Sequence, residues 1–147
     1  MNNQQLIHKL IDIIKYKETF QNNTSSLLPQ DMYILERIYM HGKINQKTIS
    51  SKYHIPPSTL TGIVDRLESK DLIQRVRVQK NRKIVLLSIT EQGKEIVEQH
   101  INEDEVFTEN LFNTLPIHKR TLLKQLMVEL VEKIDMDALF NTKELDK

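Results

Sequence analysis

The chain has 147 residues, 39% hydrophobic and 28% charged, the proportions of one folded domain or of one domain with helical extensions. It contains no cysteine, which excludes disulfides, thiolate catalysis and thiolate zinc sites together. The formal charge of +1 is unevenly spread: Lys43 to Lys94 holds eleven Lys and Arg against four acids, a net of +7, and the remainder nets −6. A basic middle between acidic flanks suits a polyanionic partner. The longest uninterrupted apolar run, Ile84-Val85-Leu86-Leu87, is too short to cross a bilayer. The start, Met1-Asn2-Asn3-Gln4-Gln5, lacks the basic segment and apolar stretch of a secretory signal. A cytoplasmic protein with no membrane partner is expected.

Leu6, Ile7, Leu10, Ile11, Ile13, Ile14 and Phe20 recur at helical spacing and predict a first helix with a broad apolar face. The turn-forming cluster Asn22-Asn23-Thr24-Ser25-Ser26 is expected to break it. Pro29 opens a second helix at its first position, with Met32, Leu35, Ile38 and Tyr39 as its buried stripe and Gly42 as a left-handed cap. Asn45 caps a short third helix through Tyr53. After Pro56-Pro57 a fourth helix runs to about Lys70, burying Leu60, Ile63, Val64 and Leu67. Two helices joined by so tight a turn form a helix-turn-helix.

The period then changes. Ile73-Gln74-Arg75-Val76-Arg77-Val78 alternates, with Arg75 and Arg77 on one face and the valines on the other, and Ile84 to Ile89 is a second β-rich run. Between them Gln79-Lys80-Asn81-Arg82-Lys83 reads as a polar loop with three cations. A basic-tipped hairpin directly after a helix-turn-helix describes a winged helix.

Thr90 caps a further helix through Ile96 and Val97 towards Phe107. Pro116 opens another, in which Leu122, Leu123, Leu126, Met127, Leu130, Val131 and Ile134 form a doubled apolar stripe. Either that helix is sandwiched inside its own subunit, or its extra face meets another chain. The equally broad stripe on the first helix favours a dimer, with Leu6, Leu10, Ile14, Leu123, Met127, Leu130 and Ile134 at the interface.

Three stretches carry a family resemblance: Asp65-Arg66-Leu67-Glu68-Ser69-Lys70-Asp71-Leu72-Ile73, then Asn81-Arg82-Lys83, then Ser88-Ile89-Thr90-Glu91-Gln92-Gly93. In order and spacing they resemble the MarR (multiple antibiotic resistance regulator) family, whose pattern is a DRLEKKGL helix end, a wing with DxR, and LTEKG. The resemblance covers essentially the whole chain. It implies a mainly α fold with a small β-hairpin wing: a winged helix-turn-helix with N- and C-terminal dimerisation helices. Residues 28–89 would be the DNA-binding region, and 1–27 with 90–147 the helical dimerisation region, all in one compact unit. The function implied is a homodimeric, double-stranded-DNA-binding transcription regulator, in most cases a repressor, released by a small-molecule effector.

The chain departs from the family pattern at five positions. Asn81 and Lys83 stand where the wing Asp and Arg are usual. Asp71 replaces a frequent Gly, and His54 a small turn residue; both types tolerate a left-handed backbone. Gly62 occupies a position where many members carry Arg, so less direct base reading is expected.

On this reading the fourth helix enters the major groove and presents Ser58, Thr59, Thr61 and Gly62. Its N-terminus favours phosphate. Arg66 either reaches a phosphate, braces the helix, or pairs with Glu68 or Asp65. Arg75 and Arg77 flank the DNA backbone, Asn81, Arg82 and Lys83 form the tip that enters the minor groove, and Lys47 and Thr48 are further contacts.

Catalysis is poorly served: there is no glycine-rich phosphate loop and no G-x-S-x-G motif, so no enzyme is expected. Of the five histidines none has close metal-ligand spacing with another, and His100 with Glu103 and Asp104 is the best local cluster. No metal and no cofactor are expected. Two other functions remain open: a winged-helix protein-interaction or assembly module that does not read DNA, and a non-specific nucleic-acid coat.

Overall fold

The computed structural model describes residues 1–141. The last six residues of the expected helical region, 142–147, lie outside the described residues. The first helix, α1 (Asn3–Ser25), begins at a capping box: Asn2 Oδ1 accepts the Gln5 N–H at 2.8 Å and the Gln5 side chain accepts the Asn2 N–H at 3.0 Å. The polar cluster ends it at its last residue, Ser26, which turns left-handed at φ 60°. Over the turn before it the hydroxyls of Thr24 and Ser25 both donate to the Gln21 carbonyl at 2.9 Å, bonds that compete with the backbone ladder.

Helix α2 (Pro29–His41) starts with proline at its first position and stops at Gly42, whose φ of 73° a side chain would resist. A short strand β1 (Lys43–Asn45) leads into α3 (Gln46–Lys52), where Asn45 Oδ1 caps the Lys47 N–H at 2.9 Å. His54 (φ 54°) makes the turn to α4 (Pro57–Ser69), and Asp71 (φ 58°) the turn out of it. The Ser50 hydroxyl closes the first turn by donating to the Ile55 carbonyl at 2.6 Å. Strands β2 (Ile73–Val78) and β3 (Asn81–Ile89) follow, then α5 (Glu91–Asn113), α6 (Ile117–Lys133) and a 3-10 turn at Met136–Ala138.

The sheet has three antiparallel strands in the order β1-β3-β2, one more than the expected hairpin. Ile44 of β1 lies opposite Leu87, and both are buried. The expected five-residue loop is shorter as well: Asn81, Arg82 and Lys83 belong to β3, leaving Gln79 and Lys80 as the turn. The slack is taken up between Arg77 and Val78, where pairing jumps from Val85 to Asn81.

The chain divides into a compact unit, Met1–Glu105, and a second beginning at Val106. The core of the first is made by Ile34, Leu35 and Ile38 of α2, Ile49 of α3, Leu60, Ile63, Val64 and Leu67 of α4, Leu72, Ile73 and Leu87 of the wing, and Val97 of α5. Helix α5 starts against the wing. The Thr90 hydroxyl donates to the Asp71 carbonyl at 2.7 Å and accepts the Gly93 N–H at 3.0 Å. A Cβ at Gly93 would overlap the Leu72 carbonyl oxygen, so only glycine fits there. In the second unit α6 buries none of its residues. Among the described residues no helix is long and apolar enough to cross a membrane.

Candidate nucleic-acid interface

The N-terminal half of α4 is exposed because its buried stripe, Leu60, Ile63, Val64 and Leu67, occupies the opposite face. No side chain caps the helix, since Pro56 precedes Pro57, so the first-turn N–H groups at Ser58 and Thr59 are left to an outside acceptor. Ser58, Thr59 and Thr61 are exposed and Gly62 half-buried. Thr61 donates to the Pro57 carbonyl at 2.9 Å and accepts from the Gln46 amide at 3.4 Å, which ties α4 to α3. Lys47 and Thr48 of α3 are exposed. A cleft of about 430 Å³ opens here, lined by Lys47, Ser50, Leu60, Thr61, Lys83 and Val85 among others.

Two of the arginines are engaged inside the protein. Arg66 donates through Nε and Nη2 to the two carboxylate oxygens of Asp31 at 2.9 and 2.8 Å, bracing α4 against α2. That hydrogen bond, against a smaller desolvation cost, raises the guanidinium's already high pKa. Arg75 is held by Asp65 and by Glu68, whose carboxylate accepts Nη1 at 2.8 Å and the Arg75 backbone N–H at 3.2 Å. Partial burial works against its charge, and the two carboxylates outweigh it. The acids read from sequence as partners of Arg66 therefore serve Arg75, and the brace for Arg66 comes from α2.

The rest of the wing is open. Arg77, Asn81, Arg82 and Lys83 are all exposed. Arg77 Nη1 donates to the Arg82 carbonyl at 3.0 Å, and Asn81 Oδ1 accepts the Lys83 N–H at 3.1 Å. The tip is thus shaped by an arginine–carbonyl bond and an asparagine turn where an Asp–Arg pair is usual. What sequence reasoning missed is Asp31. An acid in the first turn of a helix reads as a surface residue complementing the helix dipole, and nothing local marks it as buried.

A second polar cluster lies at α1, α2 and α5. His100 Nε2 stands 2.6 Å from Glu36 Oε1 and 3.4 Å from Asp104 Oδ2. Burial disfavours the imidazolium, but the bond to Glu36 and the charges of Asp104 and Glu36 outweigh it and raise the pKa above the usual histidine value. Of the two acids expected beside His100, Asp104 is there, and Glu103 instead accepts from Gln99 at 3.2 Å.

Residues 28–85 match the sequence model of the MarR family. Over 65 residues, 44% of this chain, the sequence is 34% identical to the HTH-type transcriptional repressor MdtR of Bacillus subtilis (strain 168), and the match spans 42% of that relative's length. Among solved structures, Streptococcus pneumoniae FabT in complex with DNA superposes with a TM-score of 0.76 at 18% identity, covering 89% of this chain and 96% of that one. A single-site mutant of MarR from E. coli, complexed with operator DNA, gives 0.66 at 21%, covering 86% and 91%. At these identities the two structures speak for the fold.

Proposed function

We propose, from the match of residues 28–85 to the MarR-family model and the winged helix-turn-helix they form, that this chain is a sequence-specific DNA-binding transcription regulator of the cytoplasm, acting as a homodimer. The observation that carries the reading is the pairing pattern of the cations. The acids near α4 are taken up by Arg66 and Arg75 inside the protein. The exposed surface keeps Ser58, Thr59 and Thr61 beside the Arg77, Arg82 and Lys83 of the wing and the Lys47 and Thr48 of α3.

Helix α4 enters a major groove with its uncapped N-terminus towards phosphate, and the wing reaches the adjacent minor groove. Arg66 and Arg75 act as braces that fix the helix, and Gly62 leaves the backbone free to approach a base pair closely. Residues 28–89 bind DNA, while the helices of 1–27 and 90–147 carry the dimer. Supporting the dimer, Leu6, Leu10 and Ile14 of α1 are exposed in the single chain, as are Leu123, Met127 and Leu130 of α6 and Ile134 at its end. A two-fold dimer sets a pseudopalindromic operator with half-sites about one helical turn apart, ~34–36 Å. Repression by promoter occlusion, and release by a small-molecule effector, rest on the family resemblance.

The test is fluorescence anisotropy on the DNA upstream of the protein's own gene and on a scrambled duplex, across a salt series. If each protomer neutralises about four phosphates, log K falls against log[salt] with a slope near −7. A preference of at least ~10³-fold for the cognate duplex supports a specific regulator. A steep slope without preference points to a nucleic-acid coat, and no binding at low salt to an interaction module.

A further inference from the structure

Three helices of the unit Met1–Glu105 meet at His100. Its Nε2 stands 2.6 Å from Glu36 Oε1 of α2 and 3.4 Å from Asp104 Oδ2 of its own helix, α5. From α1, Lys17 Nζ donates to Asp104 Oδ1 at 2.7 Å, and the Gln21 amide nitrogen donates to the same oxygen at 3.0 Å and to the His100 carbonyl at 3.3 Å. Glu18 of α1 and Tyr33 of α2 are the other titratable groups around the small cavity that these residues share. Two carboxylates thus face one ammonium and one imidazole, and the group is neutral only with the imidazole protonated. Without that proton, Nε2 offers at most one N–H to two carboxylates. One negative charge then stays uncompensated among side chains, His100, Glu36 and Asp104, that are only 13%, 21% and 31% exposed.

Glu36 belongs to α2, the first helix of the DNA-binding region, and His100 to α5, one of the helices that carry the dimer. We propose that the Glu36–His100 contact is a pH-sensitive latch between those two parts: closed, it fixes where α4 stands for its half-site, and loss of the imidazole proton opens it and weakens operator binding. The effect on DNA rests on the regulator reading above. A dimer must meet both half-sites in one geometry, so a loosened junction has to be ordered again on binding, at a cost in affinity. Burial disfavours the imidazolium, but the bond to Glu36 and the charges of Asp104 and Glu36 outweigh it and the opposing Lys17, holding the pKa above the ordinary 6.5. The latch is therefore closed at and below the ordinary histidine value, and it opens as pH rises through the higher value of the folded protein.

Two measurements on the full chain test this, one with DNA and one without. Fluorescence anisotropy on the upstream duplex at fixed ionic strength should show affinity falling at least about fivefold between about pH 6 and about pH 8.5. Glu36→Gln and His100→Asn, each confirmed as folded by circular dichroism, should lose most of that dependence. His54→Asn, which keeps the left-handed turn before α4, should retain it. Nuclear magnetic resonance without DNA should show the His100 imidazole titrating above the ordinary histidine value, with α2 backbone amides following the same midpoint in the wild type and not in His100→Asn. A wild-type affinity flat with pH, or an equal pH dependence in both latch variants, overturns the proposal. Amides of α2 that ignore the His100 titration overturn it too. If the wild type binds no duplex at any pH, the regulator reading fails by itself, and the amide shifts still decide the latch.

Discussion

Asp31 and Arg66 form a two-pronged ion pair in which only one partner has access to water: the Arg66 side chain is 47% exposed and the Asp31 side chain 2%. The asymmetry decides what breaking the pair does. In Asp31→Leu the arginine turns into solvent and the leucine joins the core, whereas Arg66→Met strands a carboxylate that cannot leave. Thermal unfolding should therefore place the Tm of Arg66→Met clearly below that of Asp31→Leu. The reverse order would show that the pair's value lies in Arg66's own packing.

The two helical glycines predict opposite outcomes. At Gly93 a methyl group meets the Leu72 carbonyl oxygen head-on and Ile89 Cγ1 at 2.7 Å, so α5 must shift. Gly93→Ala should cost about 1–3 kcal/mol in denaturant unfolding. At Gly62 the nearest atom is Arg66 Nη1 at 3.7 Å. Gly62→Ala should stabilise the protein by about 0.5–1 kcal/mol through helix propensity. If α4 approaches DNA as proposed, the same substitution weakens operator binding, and anisotropy on the stabilised variant reads that loss.

The wing cations make a quantitative claim. Each phosphate contact contributes ~0.9 to the slope of log K against log[salt]. Arg82→Ala and Lys83→Ala each remove two contacts from a dimer and should each flatten the slope by about 1.8, on cognate and scrambled duplexes alike. An unchanged slope in both variants would remove the wing from the interface.

Dimerisation is testable at single leucines. Leu10 of α1 and Leu130 of α6 are both exposed in the single chain. Burying a leucine on association contributes about 1.5–3 kcal/mol, and a two-fold axis counts it twice. Leu10→Glu or Leu130→Glu should raise the dimer Kd by at least about a hundredfold in sedimentation equilibrium, with the helical circular dichroism of the winged helix retained.

Much of the fold was legible because its punctuation is local. Pro29, Asn45 and Thr90 start their helices through their own side chains or ring, and His54 and Asp71 take the left-handed turns that their residue types allow. What was not legible depends on distant partners. Lys43-Ile44-Asn45 is too short to show a strand period, and becomes one only because Ile44 finds Leu87. The Asp31–Arg66 pair spans 35 positions, and Asp65, one residue from Arg66, was the more natural guess. Spacing groups His100 with Glu103 and Asp104 on its own helix; folding keeps Asp104 beside it and brings Glu36 from α2 in place of Glu103.

Helix α6 keeps none of its residues buried within its own chain, whereas Met1–Glu105 holds its own core. Packing rather than propensity supplies most helix stability, so if the chain pairs as proposed, the melting of α6 becomes a matter of mass action, and dilution should unravel it while the winged helix persists. Titrated by circular dichroism from micromolar to nanomolar chain, the helical signal should fall in two steps, the first moving with concentration and the second fixed.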